Sequence, residues 1–357
     1  MIKFLIFAVL VGCLSSCADR PGQVFPAAEW ERSSPAAQGI DPAVLDHALD
    51  YLAGHCKEND LDETLVVRNG YIVWAGDSIE RVHDIWSCTK SFTSTAVGMM
   101  AEEGLLTLDR PVAGHEHRLD SLYPTATYRH FLTMTSGYNA VGATRWPTDV
   151  SEDWSLTPYE PAAPLFPPGT AYAYWDEAMI MFGRALTRAA GTSLNDYLDE
   201  RLFTPIGIPR RAWWGEGEVD GHPINFGGTG LKMSAAEHAR FGWLMLNGGD
   251  WDGQQLVPAD YVAAATRNQV PTTIAIGDTD RRGTDGRGIY GYNWWVINAG
   301  KDSPVDAAFT SGLNHNVCLI VPAWNLVLVR QGTDGNPGIS KHEVYAKVIT
   351  LLAPGID

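Results

Sequence analysis

A chain of 357 residues, 45% hydrophobic and only 19% charged, carries enough apolar surface for a large core, which excludes a disordered protein and predicts one or two packed lobes. A formal charge of −16 repels phosphate backbones, and basic pairs such as Arg281-Arg282 are short and isolated, so nucleic acid is excluded as a partner.

In chain order, Met1-Ile2-Lys3 and the apolar run Phe4 to Leu14 have the charged start and short hydrophobic middle of an export signal, too short to span a bilayer as a mature helix. The run ends in Leu14-Ser15-Ser16-Cys17, which resembles a bacterial lipobox. That resemblance implies removal of residues 1–16, lipidation of Cys17 and an exported, envelope protein held to the membrane by lipid. An ordinary secretory signal cleaved nearby is the alternative. Residues 18 to 38 are Pro-, Ala- and Ser-rich without periodicity, as a tether would be. Cys13 falls in the signal, leaving Cys56, Cys88 and Cys318 too widely spaced for a disulfide framework or a zinc site; buried thiols are expected.

Asp41-Pro42 places an N-cap before a proline at the first helical position and opens a helix to about Gly54. Thr64 to Arg68 and Tyr71 to Ala75 flank Asn69-Gly70, a strong hairpin signal. Near the other end, 291–297, 317–321 and 326–330 read as strands, followed by a helix over His342 to Leu352. The middle, roughly 90–280, is helical with Pro- and Gly-rich connections. Strands at both ends predict a sheet built by the termini with a second lobe inserted, and a cleft between the two lobes is the default place for a site.

Ser87-Cys88-Thr89-Lys90 is an S-x-x-K whose helical continuation to Met100 sets Ser87 and Lys90 one turn apart on one face. A serine hydroxyl needs a neighbouring base to become a nucleophile, and the helix N-terminus offers the Ser87 N–H to a developing oxyanion. Roughly one such motif arises by chance in a chain this long, and an N-cap serine with an exposed lysine is the structural alternative. Three further motifs follow in order: Gly104-Leu-Leu-Thr-Leu-Asp-Arg-Pro-Val112, Tyr128-Arg-His-Phe-Leu-Thr-Met-Thr-Ser-Gly137 and Phe166-Pro-Pro-Gly-Thr170.

With Gly227-Gly-Thr-Gly230 and Leu246-Asn-Gly-Gly249, these motifs resemble the class C β-lactamase, esterase and D-stereospecific peptidase family over nearly all of residues 38–352. The resemblance implies an α/β fold of the β-lactamase and penicillin-binding-protein type: an antiparallel sheet flanked by helices from both termini, plus an inserted, mainly helical lobe. The expected division is a signal peptide 1–16, a tether 17–37, a catalytic domain 38–352 (α/β lobe 38–86 and 285–352, helical lobe 87–284) and a tail 353–357.

The resemblance also assigns roles. The family's Tyr-x-Asn falls on Tyr174-Trp175-Asp176, making Tyr174 the partner in proton transfer. Asp176 departs from asparagine: an ionised carboxylate only accepts, and it would hold Lys90 charged if they touched, or else receive a substrate N–H. The family's Lys-Thr-Gly or His-x-Gly falls on Thr310-Ser311-Gly312, so these residues line the cleft and Leu313 gives the second oxyanion N–H. The family cation is missing at Thr310, which weighs against anionic substrates unless Arg281 or Arg287 replaces it. His315, three residues on, reads as a structural histidine on base rates, with a further substrate-binding cleft residue the alternative.

The expectation is a serine hydrolase working through an acyl-Ser87 on a small ester or uncharged amide, without metal or organic cofactor. A β-lactamase or cell-wall DD-peptidase, and a non-catalytic sensor or binding protein, stay open as alternatives. Other motifs carry nothing: Gly286-Arg-Gly-Ile-Tyr-Gly291 precedes a strand instead of a helix, His115-Glu116-His117 lacks helical zinc spacing, and Asp278, Asp280 and Asp285 lack calcium-loop spacing. Tryptophans at 213–214 and 294–295 are core residues on base rates, with cleft lining the alternative.

Overall fold

The structure, a computed structural model, describes residues 23–56, 60–142, 157–277, 284–333 and 340–357. Asp41 accepts the Ala43 N–H at 2.8 Å and so caps α1, Pro42–Ala53, where proline costs no hydrogen bond. Strands β1, Glu63–Arg68, and β2, Tyr71–Ala75, are joined by Asn69 and Gly70, both left-handed (φ 54° and 89°), as a two-residue hairpin turn requires. The distal strands are β3, Trp295–Ile297, β4, Ala307–Gly312, β5, Asn316–Val321, and β6, Leu326–Gln331. They join β1 and β2 in one antiparallel sheet ordered β3-β4-β5-β6-β1-β2, so residues 63 and 331 are direct partners.

Two strands differ from expectation. β3 is short because Asn293 is left-handed (φ 56°) and gives its N–H to the Leu132 carbonyl, which stops the pairing before Trp295. β4 had no pattern of its own: Ala-Ala-Phe-Thr-Ser-Gly lacks the β-branched alternation of a half-buried strand, and neighbours on both sides hold it.

Each face of the sheet is covered. On one lie α1 and the C-terminal α5, Lys341–Leu352, which bury Leu45, Leu49, Tyr345 and Ile349 against Val66, Leu319 and Leu328. On the other lies α4, Ala235–Leu246, over Leu65, Cys318, Ile320 and Val327. That second core continues into the inserted lobe, whose principal helices are α2, Thr89–Glu102, and α3, Asp176–Ala190. α2 is buried on every side from Thr89 to Met100, as a helix crossing a core must be. Cys88 and Cys318 are buried thiols.

Both terminal segments depart from the expected tether and tail. From Val24 onward the chain is strapped to the body: the Val24 N–H reaches the Asn69 carbonyl, Phe25 packs on Trp243 and Trp251, and Arg240 donates to the carbonyls of Ala27 and Ala28. At the other end Asp41 N–H meets the Gly355 carbonyl and Asp357 N–H meets Gly39. Cys13, Cys17, Asp278, Asp280, Arg281 and Arg282 lie outside the described residues. No helix among the described residues is long and apolar enough to cross a membrane.

Candidate active site

Ser87 sits half-buried in a single 3-10 turn, Trp86–Cys88, that runs directly into α2. The turn is held from behind. Asp84 Oδ1 accepts the Trp86 N–H at 2.6 Å, and Trp86 itself is left-handed (φ 52°), a conformation a bulky residue adopts only when its surroundings impose it. Gly312, at the end of β4, passes so close to this turn that a Cβ there would lie 2.2 Å from the Ile85 carbonyl oxygen. Glycine is therefore what lets the end of the strand pack against the Ser87 turn.

The S-x-x-K spacing closes as helical geometry dictates: Lys90 Nζ is 2.8 Å from Ser87 Oγ. Lys90 is buried, and its ammonium also donates to Asp176 Oδ1 at 2.6 Å and to the Gly228 carbonyl at 2.9 Å. An ammonium has three N–H groups, and all three are engaged. Asp176 is the first residue of α3 and keeps 15% of its side chain exposed, so the carboxylate faces both the lysine and the cleft. Tyr174 lies over Nζ, 4.9 Å from its ring centroid, with Trp295 stacked on its outer side at 6.0 Å. Ser87, Lys90, Tyr174 and Asp176 are thus brought together, and of the two expected partners for Asp176 it is Lys90 that its carboxylate meets.

The rest of the site divides. Ser311 is half-buried at the strand end, its Oγ accepting from Lys341 Nζ at 3.4 Å. Leu313 is 39% exposed beside it. Thr310 does not line the cleft. Strand alternation turns it toward α4, where it is fully buried, accepts the Cys318 N–H at 3.1 Å and lies 3.2 Å from His238 Nε2. His315 is the structural histidine and not a cleft residue: left-handed Asn314 and His315 (φ 57° and 60°) leave its imidazole buried against Tyr345, with its pKa pushed down by burial to about 3.

Arg287 is no substitute cation, because Asp285 holds its guanidinium at 2.8 Å. The His115-Glu116-His117 side chains diverge, to Tyr128, Arg184 and Asp120 respectively. Among the described residues no group of His, Cys, Asp and Glu could hold a metal ion. Of the tryptophans, Trp213 and Trp294 are buried and Trp295 borders the site. Four features escaped the sequence: the Gly228 carbonyl, Asp84, Lys341 and the left-handed Trp86. Only the first had a signal, the Gly227-Gly-Thr-Gly230 motif.

A central antiparallel sheet with helices on both faces and a serine–lysine pair at the head of a buried helix defines the β-lactamase-fold class of hydrolases. The Beta-lactamase family model matches residues 65–338, and the chain belongs to that family. Among solved structures it is similar to EstCE1, a hydrolase with promiscuous acyltransferase activity (TM-score 0.67, 16% identity, 89% of this chain and 99% of that one). It is also similar to a penicillin-binding protein homologue from Caulobacter crescentus (TM-score 0.64, 15% identity, 89% and 99%) and to a family VIII carboxylesterase (TM-score 0.63, 16% identity, 89% and 99%). At these identities the likeness is one of fold.

Proposed function

We propose that this protein is a serine hydrolase that transfers the acyl group of an ester or amide to Ser87 and then to water. The observation that carries the reading is the 2.8 Å contact between Lys90 Nζ and Ser87 Oγ at a helix start. Similarity to a hydrolase, a carboxylesterase and a penicillin-binding protein homologue supports it. Lys90 Nζ, acting as the amine, takes the Ser87 proton as Oγ attacks the acyl carbon. The oxyanion forms between the N–H groups of Ser87 and Leu313. Tyr174 passes the proton from Lys90 to the leaving group as its bond to the acyl carbon breaks, and water repeats the steps to free the acid. No metal or organic cofactor takes part.

Labelling with a fluorophosphonate and mapping the adduct is the direct test: the phosphonyl group should sit on Ser87, and Ser87→Ala should lose both label and ester turnover at an unchanged melting temperature. Turnover that survives in Ser87→Ala, free of contaminating esterase, overturns the assignment.

We also propose an exported protein lipidated at Cys17, supported by Leu14-Ser15-Ser16-Cys17 after a short apolar run. Cys17→Ala, expressed with its own leader, should move from the membrane fraction to the soluble one. A wild-type protein already soluble, with an unmodified N-terminus elsewhere, counts against lipidation.

A further inference from the structure

Two stretches of backbone far apart in sequence meet behind Ser87. One is the two-residue strand His83–Asp84, which leads into the Ser87 turn; it pairs antiparallel with Lys232–Met233, and the Ile85 N–H continues the pairing to the Leu231 carbonyl at 3.0 Å. The other is the loop of Gly227 to Gly230, whose Gly228 carbonyl holds Lys90. The Asp84 carboxylate lies where they join. It accepts the Trp86 N–H at 2.6 Å and a second N–H from Gly230. Burial raises its pKa, while those two N–H groups and the charges of Lys232 and His83 favour the ionised form.

This carboxylate answers a conformational problem. Trp86 is left-handed at φ 52°, a region that glycine enters freely and that costs a residue with a large side chain. A short hydrogen bond from its own N–H to an ionised acceptor two residues back offsets that cost. The Gly230 N–H and the pairing with Lys232–Met233 fix the acceptor to the body of the protein, so the carboxylate cannot swing away with the turn. What the turn delivers is the plane of the peptide between Trp86 and Ser87. That plane carries the Ser87 N–H, the first oxyanion donor of the proposed reaction.

We propose that Asp84 is a positioning residue of the reaction: its carboxylate holds Trp86 left-handed and so keeps the Ser87 N–H directed at the oxyanion. The inference deepens the acyl-transfer reading and rests on it. Asp84 itself takes no proton and meets no substrate; it acts only through the backbone of Trp86. Its loss should therefore slow the chemical steps and leave substrate binding nearly unchanged, because acylation and deacylation pass through the same oxyanion.

Glycine at position 86 would adopt the left-handed conformation without help, so Trp86→Gly should make the Asp84 carboxylate dispensable. Wild type, Asp84→Ala, Trp86→Gly and the double variant are compared in turnover of p-nitrophenyl acetate and in denaturant unfolding. With tryptophan in place, Asp84→Ala should lower kcat at least about tenfold, equivalent to ~1.4 kcal/mol, with KM within about twofold. With glycine in place the same change should cost less than about threefold, and its effect on the unfolding midpoint should shrink as well. An equal loss in both backgrounds, a loss confined to KM, or no loss overturns the proposal. Where Asp84→Ala fails to fold, Asp84→Asn takes its place in the same cycle: it keeps an acceptor without the charge, and its smaller loss of kcat should again disappear with glycine at position 86. Wild-type protein that neither takes a fluorophosphonate on Ser87 nor turns over the ester removes the hydrolase assignment, while the unfolding cycle shows separately whether Asp84 holds Trp86.

Discussion

Lys90 and Asp176 meet at 2.6 Å, and this contact helps to hold Nζ against Ser87 Oγ. Asp176→Ala removes one of the three acceptors around Nζ, whereas Asp176→Asn keeps one. Turnover of a neutral ester should therefore fall at least about tenfold in Asp176→Ala, equivalent to ~1.4 kcal/mol, and be largely restored in Asp176→Asn. An alanine variant as active as the wild type would show that Asp176 does not position Lys90. At this scale the sequence was informative where chemistry is local. Three-residue spacing on a helix fixes the Ser87–Lys90 distance, and the Tyr-x-Asp triplet sits at the start of α3. Lys341 was not legible, because it meets Gly312 across 29 residues of chain that include two strands of the sheet. Thr310 was misjudged for a related reason: the motif fixed its place on the strand, but His238 on α4 determines what its side chain meets.

α2 shows what an element must do to carry a serine–lysine pair through the middle of a protein. Its hydroxyls cannot reach water, so each is satisfied inside: Ser91 donates to the Asn293 carbonyl, Thr93 to the Gly227 carbonyl and Thr95 to the Ser91 carbonyl. The Thr93 bond, 2.8 Å long, anchors the loop whose next carbonyl, Gly228, holds Lys90. Thr93→Val preserves shape but leaves the Gly227 carbonyl unsatisfied, which should cost about 1–3 kcal/mol. Denaturant unfolding should register that loss, kcat should fall with it, and Thr93→Ser should restore both. A valine variant as stable and active as the wild type would mean that the loop is held by other contacts. The apolar pattern of α2 was readable as a helix, but its full burial was not: Thr-Lys-Ser-Phe-Thr-Ser-Thr looks solvent-facing until helices pack around it. The β1–β2 hairpin is the opposite case, since Asn-Gly specifies its own turn. β4 depends on its neighbours, which explains why composition missed it.

Across the whole molecule the two chain ends are woven together. The first and last segments of the body share hydrogen bonds at Gly39, Asp41, Gly355 and Asp357, and the sheet between them is completed only when residue 331 meets residue 63. The order of strands and helices along the sequence conveyed this architecture, because alternating periodicities at both ends leave few ways to close one sheet. The docking of Val24 to Ala28 was not conveyed: a stretch rich in proline and alanine has no periodicity, and its partners, Arg240 and Trp243, come more than 200 residues later. That docking changes what an anchor at Cys17 would mean. Only residues 18–23 would separate the lipid from the first strapped residue, a leash of at most about 25 Å. This is close to the radius of gyration, about 20 Å, of a domain this size. A body so anchored would be moored, unable to tumble like a buoy on a long line, and its berth would be set by where Val24 leaves the surface beside the Asn69-Gly70 turn.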